Sequence, residues 1–279
     1  MTATMVTPRT TTGPGRDEPR APTRFGPART LGQSLTLTWR SLLKIKHSPE
    51  QLLDLTLQPI IFVILFVYLF GGAVSGSQDT YLQFVLPGIL VQSVAFASLG
   101  VGMNLSSDLE TGVFDRFRTM PIARSAPLVG AVLGDVVRYV VTVTIVLGFG
   151  MILGFRIGTN PLSALAACAL VLLFAFGLCW VTALIGLLLR NPRTVQGIGA
   201  MLMFPLTFGS NLFVPTSTLP GWLQAWVNIN PITFVVEAAR ALLIGVGPVA
   251  EPVTKVLISV AVLCVIFMPL SLAAYRRRT

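Results

Sequence analysis

Asp108, Glu110, Asp115, Arg116, Arg118 and Arg124 form a charged island between two apolar stretches, each long enough to cross a bilayer. A charged side chain costs about 2.5 to 3.5 kcal/mol at a bilayer centre, so these six residues keep the segment out of the hydrocarbon and at the membrane surface. Acidic, basic and aromatic residues mixed in this way suit ionic docking to a soluble partner. Bond-making chemistry has less to work with. His47 is the only histidine, which rules out a multi-His metal site and makes a His-based triad improbable. Cys168, Cys179 and Cys264 stand singly in apolar runs, without the close pairing or His partners of a metal site, and read as small apolar residues.

Two charged pairs lie elsewhere. Asp135 and Arg138, at i, i+3, can neutralise each other or serve a proton relay. Glu237 and Arg240, also at i, i+3, can pair on one face of a short helix or take part in transport. Polar residues inside apolar runs mark a possible substrate path: Gln92, Ser93 and Asn104 in one run, and Thr207, Ser210 and Asn211 in another. Equally, they can be helix-to-helix hydrogen bonds. Phe204 and Phe208, with Met201 and Met203, offer an adaptable apolar wall for an amphiphile, or simply pack or face lipid.

The elements that must position these residues are helices in a membrane. The chain is 53% hydrophobic and only 11% charged, with a mean hydropathy of +0.78; a soluble domain carries charge at about 25%. A span needs about 20 apolar residues, and six are expected, over 53–72, 82–104, 128–153, 162–189, 197–214 and 253–275. If both termini are cytoplasmic, sixteen of the twenty Lys and Arg residues fall on inner segments. Arg156, Arg240 and Lys255 fall outside, and Arg138 near the inner end of the third span. That asymmetry fixes the expected orientation. It also explains the net charge of +9 without nucleic acid.

Residues 1–28, rich in Thr, Pro, Gly and Arg, are expected to be a disordered cytoplasmic tail. Residues 29–52 place Leu31, Leu35, Trp39, Leu42 and Leu43 at helical spacing against Arg40, Lys44 and Lys46. This predicts an amphipathic interfacial helix, or a cytoplasmic extension of the first span. Residues 53–279 form the transmembrane domain. Within the island, Gly112 ends one helix, 113–120 form a short one and Pro121 stops it. Its aromatic residues Phe114 and Phe117 lie three apart, as do Asp115 and Arg118. The island can thus be a surface lever on the two spans it joins, or a solvated turn whose arginines set topology. Near the outer interface, Trp222 and Trp226 precede a segment that Pro231 opens and Gly245 closes, too short to cross and expected to be a re-entrant or interfacial helix.

The run Glu110-Thr-Gly-Val-Phe-Asp-Arg-Phe-Arg-Thr-Met-Pro-Ile-Ala-Arg124 resembles the cytoplasmic loop of ABC-2 type transporter permeases. Asn230-Pro-Ile-Thr-Phe-Val-Val-Glu-Ala-Ala-Arg-Ala-Leu-Leu-Ile-Gly245 and Tyr81-Leu-Gln-Phe-Val-Leu-Pro-Gly88 are similar to segments of its daunorubicin-resistance DrrB-like branch. The resemblance implies an all-α integral membrane protein with six transmembrane helices and both termini cytoplasmic. It also implies an amphipathic connecting helix, a cytoplasmic coupling helix and an outward-side re-entrant helical hairpin that holds Pro231, Glu237 and Arg240. By position, Glu110, Gly112, Phe114, Arg116, Phe117, Arg118 and Pro121 would contact a separately encoded ATPase. The implied protein is a homodimeric permease of a bacterial plasma-membrane exporter for a hydrophobic or amphipathic drug, antibiotic or lipid-like product. It binds no cofactor itself, and ATP and Mg belong to the partner subunit.

The sequence holds no Gly-x-x-x-x-Gly-Lys-Ser/Thr phosphate loop, in keeping with an ATPase on another chain. The alternative, a stand-alone secondary transporter or channel, calls for ionisable residues deep in the spans, which are scarce here. An intramembrane enzyme would face the same scarcity.

Overall fold

The computed structural model describes residues 49–112, 126–189 and 191–278. The tail, nearly all of the expected interfacial helix, and Phe114, Arg116, Phe117, Arg118 and Pro121 of the island lie outside the described residues. Among the described residues there are nine α-helices, one 3-10 turn and no strand. In chain order they are α1 (Pro49–Ser75), α2 (Gln78–Ala97), α3 (Leu99–Glu110), α4 (Ala126–Ile152), α5 (Pro161–Leu188), α6 (Pro192–Phe208), α7 (Gly221–Val227), α8 (Pro231–Ile244) and α9 (Ala250–Arg278).

Local chemistry explains several of these boundaries. Asn160-Pro161, Asn191-Pro192 and Asn230-Pro231 each open a helix. The Asn side chain accepts a hydrogen bond from the backbone N–H of Ser163 (2.7 Å), Arg193 (2.9 Å) or Ile232 (3.0 Å), and proline takes the first helical position, where no N–H is needed. Ser77 caps α2 in the same way through the Thr80 N–H. Gly245 closes α8 in the left-handed conformation at φ 73°, where glycine carries no side-chain penalty.

Among the described residues, five stretches are long and apolar enough to cross a membrane: Leu57–Val74, Gln78–Glu110, Gly130–Ile152, Pro161–Leu188 and Ala250–Arg277. The number becomes six if α7 and α8, bent by 76° at their break, make one span. The span expected over 197–214 is not one continuous helix. The Asn191-Pro192 cap starts α6 earlier, and Gly209 follows its last residue, so α6 has 17 residues. That is about 25 Å at 1.5 Å per residue, short of a core about 30 Å thick. The second span, by contrast, is longer than expected: α2 and α3 follow one another over 33 residues, interrupted only at Ser98. Polar Asn104, Ser107 and Asp108 lower its hydropathy without ending the helix, because its backbone groups are satisfied within the helix.

This long span runs through the interior. Its window is 83% buried, against 22% for the α1 window and 17% for the α9 window, so α1 and α9 line the outside of the bundle. Their outward residues, such as Leu65, Leu69, Val265 and Leu270, are apolar, as a hydrocarbon surrounding requires. Helix α5 is the other organiser, packed against α9, α3 and α8. Where α3 crosses α5 the contact is backbone to backbone: a Cβ at Gly102 would overlap the Thr182 carbonyl, and one at Gly186 would overlap Gly102. Thr182 Oγ1 donates to the Ser98 carbonyl (2.8 Å) and Ser106 Oγ to the Leu189 carbonyl (3.0 Å), pinning α3 at both ends.

Candidate functional site

Three places along the α2–α3 span collect the residues singled out in the sequence. The first is its Glu110 end. Thr111 closes α3, its N–H (2.9 Å) and hydroxyl (2.8 Å) both donating to the Ser107 carbonyl, and Gly112 takes φ 67°. Only glycine adopts that left-handed turn without strain, so Gly112 does end the helix that delivers the island. Glu110 is exposed beside it.

The second place is the middle of the span. A cleft of 380 Å³ opens between α1, α2, α3, α4 and α6, and its lining includes Gln92, Asn104 and Phe204 of the expected path. Phe96 meets Phe204 edge-on at 5.4 Å, and Phe208 extends the aromatic wall by stacking on Phe204 at 5.6 Å. Arg138 lines the same cleft, a role that its position in the sequence does not signal. It lies 3.4 Å from Asp135 and donates through Nη2 to the Ala97 carbonyl (2.9 Å). That carbonyl adjoins the Ser98 interruption, so the guanidinium braces the break between α2 and α3. Gly100 makes room for it, because a Cβ there would overlap the guanidinium. Gln92 is only 4% exposed, and neither atom of its amide has a partner.

The third place is the Gln78 end of the span, where residues 209–214 leave helical geometry and free their carbonyls. Inside a membrane such carbonyls require internal donors. Arg240 supplies them, donating from Nη2 to the Asn211 (2.9 Å) and Leu212 (2.8 Å) carbonyls and from Nε to the Phe84 carbonyl (2.9 Å). Its guanidinium also lies over the Phe84 ring at 3.7 Å. Tyr81 Oη donates to the Phe213 carbonyl (3.1 Å), and Asn230 Nδ2 to those of Leu206 (2.7 Å) and Gly209 (2.9 Å). Asn211, singled out for the path, belongs here: its Nδ2 donates to Glu237 Oε1 at 2.8 Å. Among the described residues the ion pairs are Asp135–Arg138 and Glu251–Lys255. Glu237 and Arg240 share a region without forming such a pair, because each is taken up by the chain around residues 211–212.

The family described as ABC-2 type transporter matches residues 32–244. The daunorubicin resistance ABC transporter permease protein DrrB1 of Streptomyces coeruleorubidus is 41% identical over 254 residues, covering 90% of this chain and 89% of that protein. The doxorubicin resistance ABC transporter permease protein DrrB of Mycobacterium tuberculosis is 31% identical over 192 residues, 66% of each chain.

Proposed function

Because the chain belongs to the ABC-2 type transporter family, we propose that this multi-pass membrane protein is the permease subunit of a two-component ATP-binding cassette exporter. It is a transport subunit rather than an enzyme, as its relatives are. In this reading ATP and Mg are used by a separate ATP-binding subunit, and two copies of the permease form the pathway in a bacterial plasma membrane. The cargo is a hydrophobic or amphipathic small molecule moved outward. Both termini are cytoplasmic, residues 29–52 are the connecting helix and the island is the coupling helix. Glu110, Gly112, Phe114, Arg116, Phe117, Arg118 and Pro121 face the ATPase, and α7 and α8 form a hairpin on the outward side.

The observation that carries the reading is the way α3 is held. It carries the first island residues, Asp108 and Glu110, ends at Gly112, and is locked to α5 through Gly102, Gly186 and the Thr182 and Ser106 hydrogen bonds. A push on the island therefore moves α3 and α5 together as a rigid body, the kind of element that passes a displacement on rather than absorbing it. The Ser98 interruption, braced by Arg138, lies between that body and the rest of α2.

Affinity purification from native membranes in mild detergent tests the partner: a P-loop ATPase is expected to co-purify. Glu110→Arg, which reverses a charge at the docking face, and Gly112→Leu, which strains the turn, are expected to abolish both co-purification and ATP-dependent export. Membrane insertion should be intact. Normal export by both variants would remove the island from the coupling role.

A further inference from the structure

The α2–α3 span is interrupted at a single turn, and that turn is held from two sides. Val101 N–H donates to the Ser98 carbonyl (3.3 Å), the tighter step of a 3-10 turn, and Ser98 Oγ donates back to the Ala95 carbonyl (2.6 Å), a local bond of the kind that bends helices. Two successive carbonyls then accept from other helices: Ala97 from Arg138 Nη2 of α4 (2.9 Å) and Ser98 from Thr182 Oγ1 of α5 (2.8 Å). The two holds differ in firmness. Thr182 stands at the backbone contact with Gly102, so its bond belongs to the rigid α3–α5 body. Arg138 is held more loosely, since its pair with Asp135 is 3.4 Å long and Nε is buried without a hydrogen-bond partner. A buried donor left unmet marks an arrangement that is not fully satisfied where it stands. Ala97, Gly100 and Arg138 also line the central cleft, so this joint is part of its wall.

We infer that Ser98 is the joint about which the α3–α5 body swings when the island is pushed, and that Arg138 is the positioning residue that carries the swing into the cleft wall. This role rests on the permease reading, to which it adds the residue that works the joint. The chain order places Arg138 where two arms meet. The island follows α3 and precedes α4, so a displacement of it reaches the joint directly along α3 and also along α4, through the Arg138 bond to the Ala97 carbonyl. The arms are matched: α3 has 12 residues, about 18 Å, and the stretch of α4 from Ala126 to Arg138 is about as long. Joined by the island at one end and by Arg138 at the other, they move as one frame. Without the Arg138 corner, α4 moves and the joint does not. Arg240 could not serve in this way, because releasing it would strip three carbonyls and a ring of their contact at once, whereas Arg138 has one carbonyl bond to exchange. Gly100 keeps the space in which the guanidinium sits, since a Cβ there would overlap it.

The test uses the permease with its co-purifying ATPase in lipid nanodiscs, with Cys168, Cys179 and Cys264 replaced by alanine and Asn104→Cys as a reporter in the cleft wall. A fluorescent maleimide is the probe, and its labelling rate is read without nucleotide and again after trapping with ATP, Mg and vanadate. In this background the rate is expected to change at least about fivefold on trapping. In the double variant Asp135→Asn, Arg138→Met, which removes both charges so that neither is left buried and unpaired, the change is expected to fall below about twofold while ATP hydrolysis and co-purification persist. Arg138→Lys, which keeps a donor for the Ala97 carbonyl, is expected to recover part of the change. Gly100→Ala, which displaces the guanidinium and leaves both charges in place, serves the same comparison if the double variant fails to assemble. A full response to nucleotide in these variants, loss of hydrolysis together with the response, or no response in the background although ATP is hydrolysed would overturn the proposal. Failure of the permease reading itself is separately visible, as absence of the ATPase from the purified complex.

Discussion

Arg240 and Gln92 are buried to similar depths, 6% and 4% exposed, at two levels of the same bundle, yet they live in opposite circumstances. Arg240 reaches three backbone carbonyls and an aromatic ring, and two of those carbonyls, of Asn211 and Leu212, belong to an irregular stretch of chain. Gln92 reaches nothing. The difference separates polar groups that hold an apolar bundle together from those that do not. A buried polar group whose partners are all internal is holding the fold, whereas one without a partner contributes nothing to it. Tyr139 Oη and Trp180 Nε1 are unpartnered in the same way.

The largest expected effect of breaking this contrast is at the satisfied site. Arg240→Leu leaves the Asn211 and Leu212 carbonyls without the Arg240 donor and removes the contact with the Phe84 carbonyl, and should cost about 3 to 5 kcal/mol, seen as loss of protease resistance and folded yield in membranes. Arg240→Lys should recover only part of this, because an ammonium cannot reproduce the planar fork. Next comes the α3–α5 crossing, where Gly186→Val forces two backbones apart and should cost about 1 to 3 kcal/mol. If the lever reading holds, this variant also uncouples ATP hydrolysis from export more than it weakens ATPase binding, which paired hydrolysis and efflux assays would register. Asn230→Ala removes a helix cap and two carbonyl contacts together, and should lower stability by about 1 to 2 kcal/mol in a thermal shift measurement. The smallest effect, and the one opposite in sign, belongs to the unsatisfied site. Gln92→Leu should leave stability level or raise it by about 1 kcal/mol. A destabilised Gln92→Leu would erase the distinction between the two sites.

Much of the helical frame was legible because its signals are local. The start at Pro231, the closure at Gly245, the turn at Gly112 and the long apolar runs all act within a few residues of themselves. The expected span over 197–214 misjudged its element because hydropathy averaging blurred the Asn191-Pro192 start and ran past Gly209. In the site, Gln92, Asn104 and Phe204 were marked by polarity or aromaticity in apolar runs and do share the cleft. Asn211 carried the same mark and went elsewhere, since nothing in its neighbourhood announces Glu237 or Arg240.

The sequence by itself determined that this is a helical membrane protein, roughly where its long apolar helices lie, and that a charged segment is kept out of the hydrocarbon. Those outcomes follow from transfer free energies and capping chemistry, which depend on composition and near neighbours. Tertiary structure alone decided that Arg138 braces the Ala97 carbonyl, that Gly102 and Gly186 bring two helices into backbone contact, and that Arg240 closes carbonyls far along the chain. It alone left Gln92 without a partner. Each depends on which helix faces which, and that is settled only when the apolar faces pack and every buried polar group competes for the few partners within reach.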